Sequence, residues 1–137
     1  MSARMLKSFE VDSLPVRVYA SRDDMSTAAA REANDHLCAV ISEQGSAAAI
    51  LATGNSQIQF LEKLLATGEV DWSKVTLFHM DEYLGLDADH SASFRRYMRE
   101  RVESRVNPSV FHYLEGDALE PLRECRRYAD LLVAQPI

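Results

Sequence analysis

The sequence predicts an α/β protein whose sheet is mostly parallel and carries helices on both faces. Short apolar segments of strand length alternate with longer segments of helical periodicity along the 137 residues. The apolar run at 46–53 is continuous, which is the pattern of a strand covered on both sides. The length suffices for one hydrophobic core and is short for two, so we expect a single α/β domain over residues 1–137.

The first part of the chain is expected to contain two strand–helix units. Residues 14–21 alternate apolar and polar side chains, which predicts a strand, and Ser21 is suited to cap the helix that follows. That helix should end near Gly45, because glycine tolerates the left-handed backbone of a helix C-terminus. Residues 46–53 then form the second strand, and Ser56 is suited to cap the second helix.

The same alternation continues toward the C-terminus. Residues 72–80 read as another buried strand, and either Ser91 or Ser93 can start the next helix. Asn107 and Pro108 end that helix, since the residue before a proline is disfavoured in helical backbone.

A short strand and a final helix complete the pattern. Residues 110–114 are the strand candidate, 116–118 form a turn, and the last helix starts at about Leu119. We expect its packed face to carry Leu122, Cys125, Ala129 and Leu132.

Two loops are predicted to meet at one edge of the sheet. Right-handed crossovers place the loops that follow strands 46–53 and 72–80 at the carboxyl ends of neighbouring parallel strands. Ligands bind at that edge in open α/β sheets. Residues 54–57 and 80–83 are therefore expected to be neighbours in space.

The first of these loops has the features of an anion site. Thr53, Gly54, Asn55 and Ser56 connect a strand to a helix, where unpaired N–H groups and the helix dipole favour a phosphate or a carboxylate. The lysine of a phosphate-binding P-loop and the three glycines of a dinucleotide site are both absent from this stretch. A plain strand-to-helix turn with a serine cap is an equally good interpretation.

The second loop opens with two adjacent acids in the segment FHMDEYLGL. Asp81 follows a buried strand directly, so the sheet fixes its position and suits it to act as a general base. Glu82 is a candidate to bind a sugar hydroxyl or an amine, with solvent exposure as the alternative. His79 lies within the strand and is interpreted as a structural histidine.

Arginines cluster on the helix that follows the acids. They can supply a cation to a phosphate pocket, but a solvated helix face paired with nearby acids is the more common role of such a set. The five are Arg95, Arg96, Arg99, Arg101 and Arg105.

Composition excludes several classes of protein. The formal net charge of −6 argues against binding nucleic acid or an anionic membrane, because both require a basic surface. The two cysteines lack CxxC spacing, which fits free thiols in a reducing cytoplasm, and the four histidines lack ligand spacing, so no metal and no cofactor is predicted. No apolar stretch approaches the roughly 20 residues of a membrane span, and we expect a cytoplasmic protein.

Four blocks of sequence resemble a known enzyme family. LATGNSQ, WSKVTLFHMDEYLGL, HSASFRRYM and ECRRYADLL follow one another with the spacing of the glucosamine-6-phosphate deaminase (isomerase) family, from about residue 16 to the end. The MDEY sequence followed by a glycine is the specific part. The related 6-phosphogluconolactonases typically carry a DER-type sequence there, so Tyr83 favours the deaminase side.

The resemblance implies a fold, a reaction and a set of site residues. The fold is a Rossmann-like three-layer α/β domain, and the reaction converts an amino-sugar phosphate to a ketose phosphate and ammonia. Asp81 matches the base that moves a proton between C2 and C1. Thr53, Gly54, Asn55 and Ser56 match the turn that binds the sugar phosphate, although TGNSQ stands where known deaminases carry TGGTP or TGSTP, and Glu82 is counted with the substrate-binding residues.

The resemblance covers the N-terminal half of the family only. Family members are about twice as long, a size still normal for one α/β domain. It therefore implies a truncated chain with little activity alone, since the histidine that assists ring opening and further basic residues belong to the other half. Two alternatives stay open, a 6-phosphogluconolactonase-like hydrolase and a non-catalytic sugar-phosphate-binding module. A phosphorylated sugar is the expected partner, and homo-oligomerisation is left open.

Overall fold

A computed structural model describes residues 3–135 and residue 137, and its elements alternate as the sequence predicts after an N-terminal hairpin. The strands are β1 (Met5–Val11), β2 (Leu14–Tyr19), β3 (Ala47–Leu51), β4 (Val75–His79) and β5 (Val110–His112). The helices are α1 (Arg22–Gln44), α2 (Asn55–Ala66), α3 (Phe94–Met98), α4 (Ser104–Val106) and α5 (Pro121–Ala134). A 3₁₀ turn, Trp72–Lys74, precedes β4, and a π-helical segment, Arg99–Glu103, joins α3 to α4.

The main sheet is parallel, with strand order β3-β4-β5. Ala47 pairs with Val75 at one end of β3 and Leu51 pairs with His79 at the other. Each strand of this sheet is separated from the next by a helix-containing crossover, which parallel pairing requires. The predicted α/β fold with a parallel sheet is confirmed.

Helices cover both faces of this sheet. Leu77 belongs to a buried cluster with Leu37 of α1, Leu61 of α2 and Val102 of the π-helical segment. The next residue, Phe78, lies on the opposite face because side chains alternate along a strand. Its ring centroid is 5.6 Å from that of Tyr128 in α5. No helix in the described part of the chain is long and apolar enough to cross a membrane.

The first predicted strand forms, but outside the main sheet. It is β2, which pairs antiparallel with β1 in a separate two-stranded hairpin, with Phe9 opposite Val16. The strand β1 was not predicted. The two-residue hairpin turn contains Asp12 with a φ of 53°, a left-handed backbone that aspartate tolerates better than most residues.

Helix capping follows the prediction at three ends and departs from it at one. The Ser21 side chain accepts a hydrogen bond from Asp24 N, Gly45 ends α1 with a φ of 82°, and Ser93 caps α3. The predicted cap at Ser56 is wrong, because α2 begins at Asn55 with Gly54 before it and no side-chain cap.

The last helix packs with a face different from the predicted one. It begins at Pro121, whose fixed φ suits the first turn of a helix. Leu122 is 73% exposed and Cys125 is exposed, whereas Glu124 and Tyr128 are buried. Hydrogen bonds of these two polar side chains to β4 and to the loop after β5 set the rotation of the helix.

Candidate functional site

The ends of β3 and β4 bring the two predicted loops together. Leu51 and His79 are partners in the parallel ladder, and Met80 N donates a hydrogen bond of 3.1 Å to the Leu51 carbonyl. The chain leaves β3 into residues 53–56, here called the anion turn. It leaves β4 into residues 81–86, here called the acid loop. The predicted meeting of these two loops at one sheet edge is confirmed.

The anion turn has the backbone geometry of a helix start without a side-chain cap. Gly54 has a φ of 118°, a conformation that non-glycine residues rarely adopt. Thr53 is half-buried, whereas Asn55 and Ser56 are exposed as the first residues of α2. The first turn of this 12-residue helix contains no acidic residue that would oppose an anion.

Asp81 stands exposed at the end of β4. Its carboxylate forms no ion pair with any residue that the structure describes. It borders a cleft of about 240 Å³ whose walls come from the acid loop, the loop after β5 and the start of α5. Apolar lining residues are Met80, Leu84, Leu114 and Pro121. An unpaired carboxylate beside an apolar wall is free to accept a proton from a bound molecule.

Glu82, the second acid, is engaged entirely within the protein. Its side chain is 1% exposed, although the adjacent Asp81 is open to solvent. One carboxylate oxygen accepts from Tyr83 N at 2.9 Å and from Phe94 N at 3.0 Å. The other accepts from Ser93 Oγ at 2.7 Å and from the backbone N and Nε of Arg95 at 3.0 and 3.1 Å.

These contacts determine the charge of Glu82. Burial by itself raises the pKa of the carboxyl group. The hydrogen bonds from Phe94, Arg95, Ser93 and Tyr83 outweigh burial and lower the pKa of Glu82 to about 2. Glu82 is therefore an anion at every physiological pH, and it holds the acid loop against the start of α3.

Arg95 connects the acid loop to the loop after β5. The guanidinium group donates to Glu82 through Nε and to the Leu86 carbonyl at 2.7 Å, and its Nη1 lies 2.9 Å from Asp117 Oδ1. Its side chain is only 8% exposed. Unlike Arg96, which pairs with Glu100 in solvent, Arg95 is a buried structural cation and does not belong to a solvated helix face.

His79 lies beneath the acid loop and is fully buried. Its Nε2 accepts from Leu114 N at 2.9 Å, and the Tyr128 hydroxyl donates to the His79 carbonyl at 2.8 Å. Burial lowers the pKa of His79, so the imidazole is neutral at pH 7 and carries its proton on Nδ1. These contacts join β4 to β5 and α5, in agreement with the structural role predicted for this histidine.

Gly116 lies at a tight contact between the acid loop and the loop after β5. Its carbonyl accepts from Gly85 N at 2.7 Å. A Cβ atom on Gly116 would lie 2.2 Å from the Tyr83 carbonyl oxygen and 2.6 Å from Cγ of Glu82. No side chain fits between the two loops without moving one of them.

Substitution of Gly116 by alanine is expected to displace the acid loop and to lower the free energy of unfolding by about 1–3 kcal/mol, the range for overpacked sites. Urea denaturation and the amide ¹⁵N chemical shifts of residues 82–85 measure the two effects. Gly45→Ala is the matched control, since a Cβ there meets nothing within 4 Å and only its φ of +82° is strained. Unchanged shifts in the Gly116→Ala protein would contradict the close contact.

Sequence reasoning identified both loops but missed the residues that hold them. Gly116 follows the third parallel strand, so the rule that brought the first two loops together also places it at this edge. That signal was available in the sequence. No feature of the sequence indicated that Arg95 is buried, because its helical stretch carries several arginines that the sequence pattern does not distinguish.

Comparisons with known proteins agree on one family. The model of the family described as glucosamine-6-phosphate isomerases/6-phosphogluconolactonase matches residues 20–136. A glucosamine-6-phosphate deaminase of Staphylococcus saprophyticus is 37% identical over 67% of this chain and 40% of its own length. Glucosamine-6-phosphate deaminase 2 of Giardia intestinalis is 40% identical over 60% of this chain and 33% of its own.

Solved structures give the same result for the fold. A monomeric glucosamine-6-phosphate deaminase superimposes with a TM-score of 0.74 at 28% identity, over 83% of this chain and 48% of that one. A 6-phosphogluconolactonase from Shewanella baltica also superimposes with a TM-score of 0.74, at 21% identity, over 86% of this chain and 50% of that one. The chain thus spans at most about half the length of these relatives, and the fold it shares with them is Rossmann-like.

Proposed function

Because this chain belongs to the family of glucosamine-6-phosphate isomerases and 6-phosphogluconolactonases, we propose that it carries the proton-transfer part of an amino-sugar-phosphate deaminase. The substrate is a phosphorylated 2-amino sugar, and the products are a ketose phosphate and ammonia. The observation that supports this proposal best is the pairing of Leu51 with His79, which starts the anion turn and the acid loop side by side.

In this reaction the carboxylate of Asp81 removes the proton from C2 of the opened sugar, and the electrons of that C–H bond form the C1=C2 bond of an enolamine. The π electrons of the C1 aldehyde move onto O1 at the same time, and O1 takes up a proton from solvent. The same group returns a proton to C1, which leaves an imine at C2. Addition of water to the imine expels ammonia and forms the ketone. The unpaired, exposed carboxylate at the rigid end of β4 supports this role for Asp81.

The phosphate of the substrate is bound by the anion turn. The free N–H groups at the start of α2 donate to it, together with the hydroxyl groups of Thr53 and Ser56 and the amide of Asn55. Gly54 allows the backbone to approach the ligand closely. Glu82 positions the acid loop and does not contact the substrate, because its two oxygens already accept hydrogen bonds from five donors of the protein.

The experiment that tests the proposal uses a chimera in which residues 20–136 replace the matching segment of the Staphylococcus saprophyticus relative. We expect the chimera to release ammonia from glucosamine 6-phosphate. A folded chimera that hydrolyses 6-phosphogluconolactone instead, or that is stabilised by the sugar phosphate without any turnover, would contradict the proposal.

A further inference from the structure

One short helix contacts both loops of the proposed site. At its start, Ser93 Oγ and the N–H groups of the next two residues donate to the Glu82 carboxylate of the acid loop. Near its end, the Tyr97 hydroxyl donates to the Gly54 carbonyl of the anion turn at 3.0 Å. The anion turn and the acid loop are therefore held by residues only four positions apart on a single rigid segment.

The hydroxyl of Tyr97 is placed to remain a donor. The side chain is half-buried, and burial raises the pKa of Tyr97, so the group keeps its proton at neutral pH. The guanidinium carbon of Arg101 lies 5.0 Å from the centroid of the Tyr97 ring and packs over it. The ring is thus held on one side while its hydroxyl reaches the anion turn.

The Gly54 carbonyl accepts two hydrogen bonds, from Tyr97 and from Gln57 N at 3.0 Å. The peptide group between Gly54 and Asn55 is planar and trans, so its C=O and N–H point in opposite directions. Fixing the carbonyl therefore fixes the direction of the Asn55 N–H, which is one of the free donors at the start of α2.

We propose that Tyr97 is a positioning residue for the phosphate, acting through the Gly54 carbonyl to orient the N–H groups of the anion turn. This inference rests on the proposed function of that turn. Because α3 also holds Glu82, Tyr97 links the position of the phosphate to that of the acid loop that carries Asp81. A sugar phosphate bound at the turn is in this way presented to the base at one fixed distance.

Tyr97→Phe tests the inference, since it removes the hydroxyl and keeps the ring that packs against Arg101. The ¹⁵N-labelled chimera contains the basic residues that belong to the other half of the family, and it carries Asp81→Asn to prevent turnover. It is titrated with inorganic phosphate and with glucosamine 6-phosphate while amide shifts are followed. We expect both ligands to shift Asn55 and Ser56. They should bind the variant more weakly, by at most about fivefold, which corresponds to the free energy of the one neutral hydrogen bond that orients these donors. In the ligand-free variant, the Asn55 amide should move more than any other amide of α2.

The matched control is Tyr113→Phe, which removes a hydroxyl that donates to Glu103 at 2.9 Å, away from the anion turn. It should leave phosphate affinity and the Asn55 shift unchanged. Equal affinity of wild type and Tyr97→Phe, or an equal loss in both variants, overturns the inference and leaves the proposed function standing. If neither ligand shifts Asn55 or Ser56 when Tyr97 is present, the proposal that the anion turn binds phosphate is wrong, and the inference about Tyr97 is wrong as well.

Discussion

Replacement of Glu82 by glutamine is expected to lower the free energy of unfolding by about 3 kcal/mol at pH 7. The folded protein holds the pKa of Glu82 near 2, against an ordinary value of 4.5, and each unit of pKa corresponds to about 1.4 kcal/mol. Glutamine keeps one acceptor oxygen but turns an NH₂ group toward donors such as Ser93 Oγ and Arg95 N. It also removes one of the two carboxylates that pair with the buried guanidinium of Arg95, which leaves Asp117 as the remaining anionic partner in the described part of the chain.

The pH dependence of this effect has a definite sign. A carboxyl group whose pKa is lowered by folding contributes its full stabilisation above the unfolded pKa and loses it as pH falls toward the folded value. The difference between wild type and Glu82→Gln should therefore be largest at neutral pH and shrink as pH falls from about 4.5 to about 2. Urea denaturation across this range measures it.

Glu100→Gln is the control for a general loss of charge on the same helical stretch. Glu100 pairs with Arg96 at 2.8 Å, but both side chains are exposed, so the substitution should cost less than about 1 kcal/mol. A Glu82→Gln protein as stable as the wild type at pH 7 would show that the contacts of this carboxylate do not support the fold.

Replacement of Asp81 by asparagine is expected to lower kcat for ammonia release by about 10²–10⁴-fold in the chimera, the usual contribution of a positioned base. Asparagine has nearly the same shape but cannot accept the C2 proton. KM should change little, because the proposed site binds the phosphate through the anion turn and not through Asp81. Steady-state kinetics with glucosamine 6-phosphate give both quantities.

Asp87→Asn is the control for this substitution, since Asp87 is an exposed acid that follows the acid loop and its side chain accepts a hydrogen bond from Asp89 N. It should retain the wild-type rate. A large rise in KM at unchanged kcat for Asp81→Asn would indicate a role in binding and not in proton transfer.

The sequence allowed the sheet edge to be predicted because that prediction needs only strand order. Parallel strands joined by helices must end at one edge. The paired ends of β3 and β4, from which the anion turn and the acid loop start, therefore follow from two apolar runs and the helix between them. Strand β1 and its pairing with β2 escaped prediction because β1 is exposed along its whole length.

The contacts inside the site could not be predicted from pattern. Residues 81–90 form an irregular loop without a period, and nothing in the sequence distinguishes the exposed Asp81 from the buried Glu82 beside it. That difference arises because the start of α3 folds back onto Glu82 and supplies its donors. The rotation of α5 was mispredicted for a similar reason, since the pattern of apolar residues does not show that Glu124 and Tyr128 are the buried side chains that form hydrogen bonds to the loop after β5 and to β4.

The central claim, that Asp81 carries a proton between C2 and C1 of a sugar held by the anion turn, is tested most directly by solvent isotope incorporation. The chimera converts glucosamine 6-phosphate in D₂O, and NMR measures deuterium at C1 of the ketose phosphate. Because Asp81 is exposed, the proton that it takes from C2 exchanges with solvent before a proton is returned to C1. We therefore predict deuterium at C1 with Asp81 present and none above the buffer reaction with Asp81→Asn. Equal incorporation by the two proteins would contradict the claim.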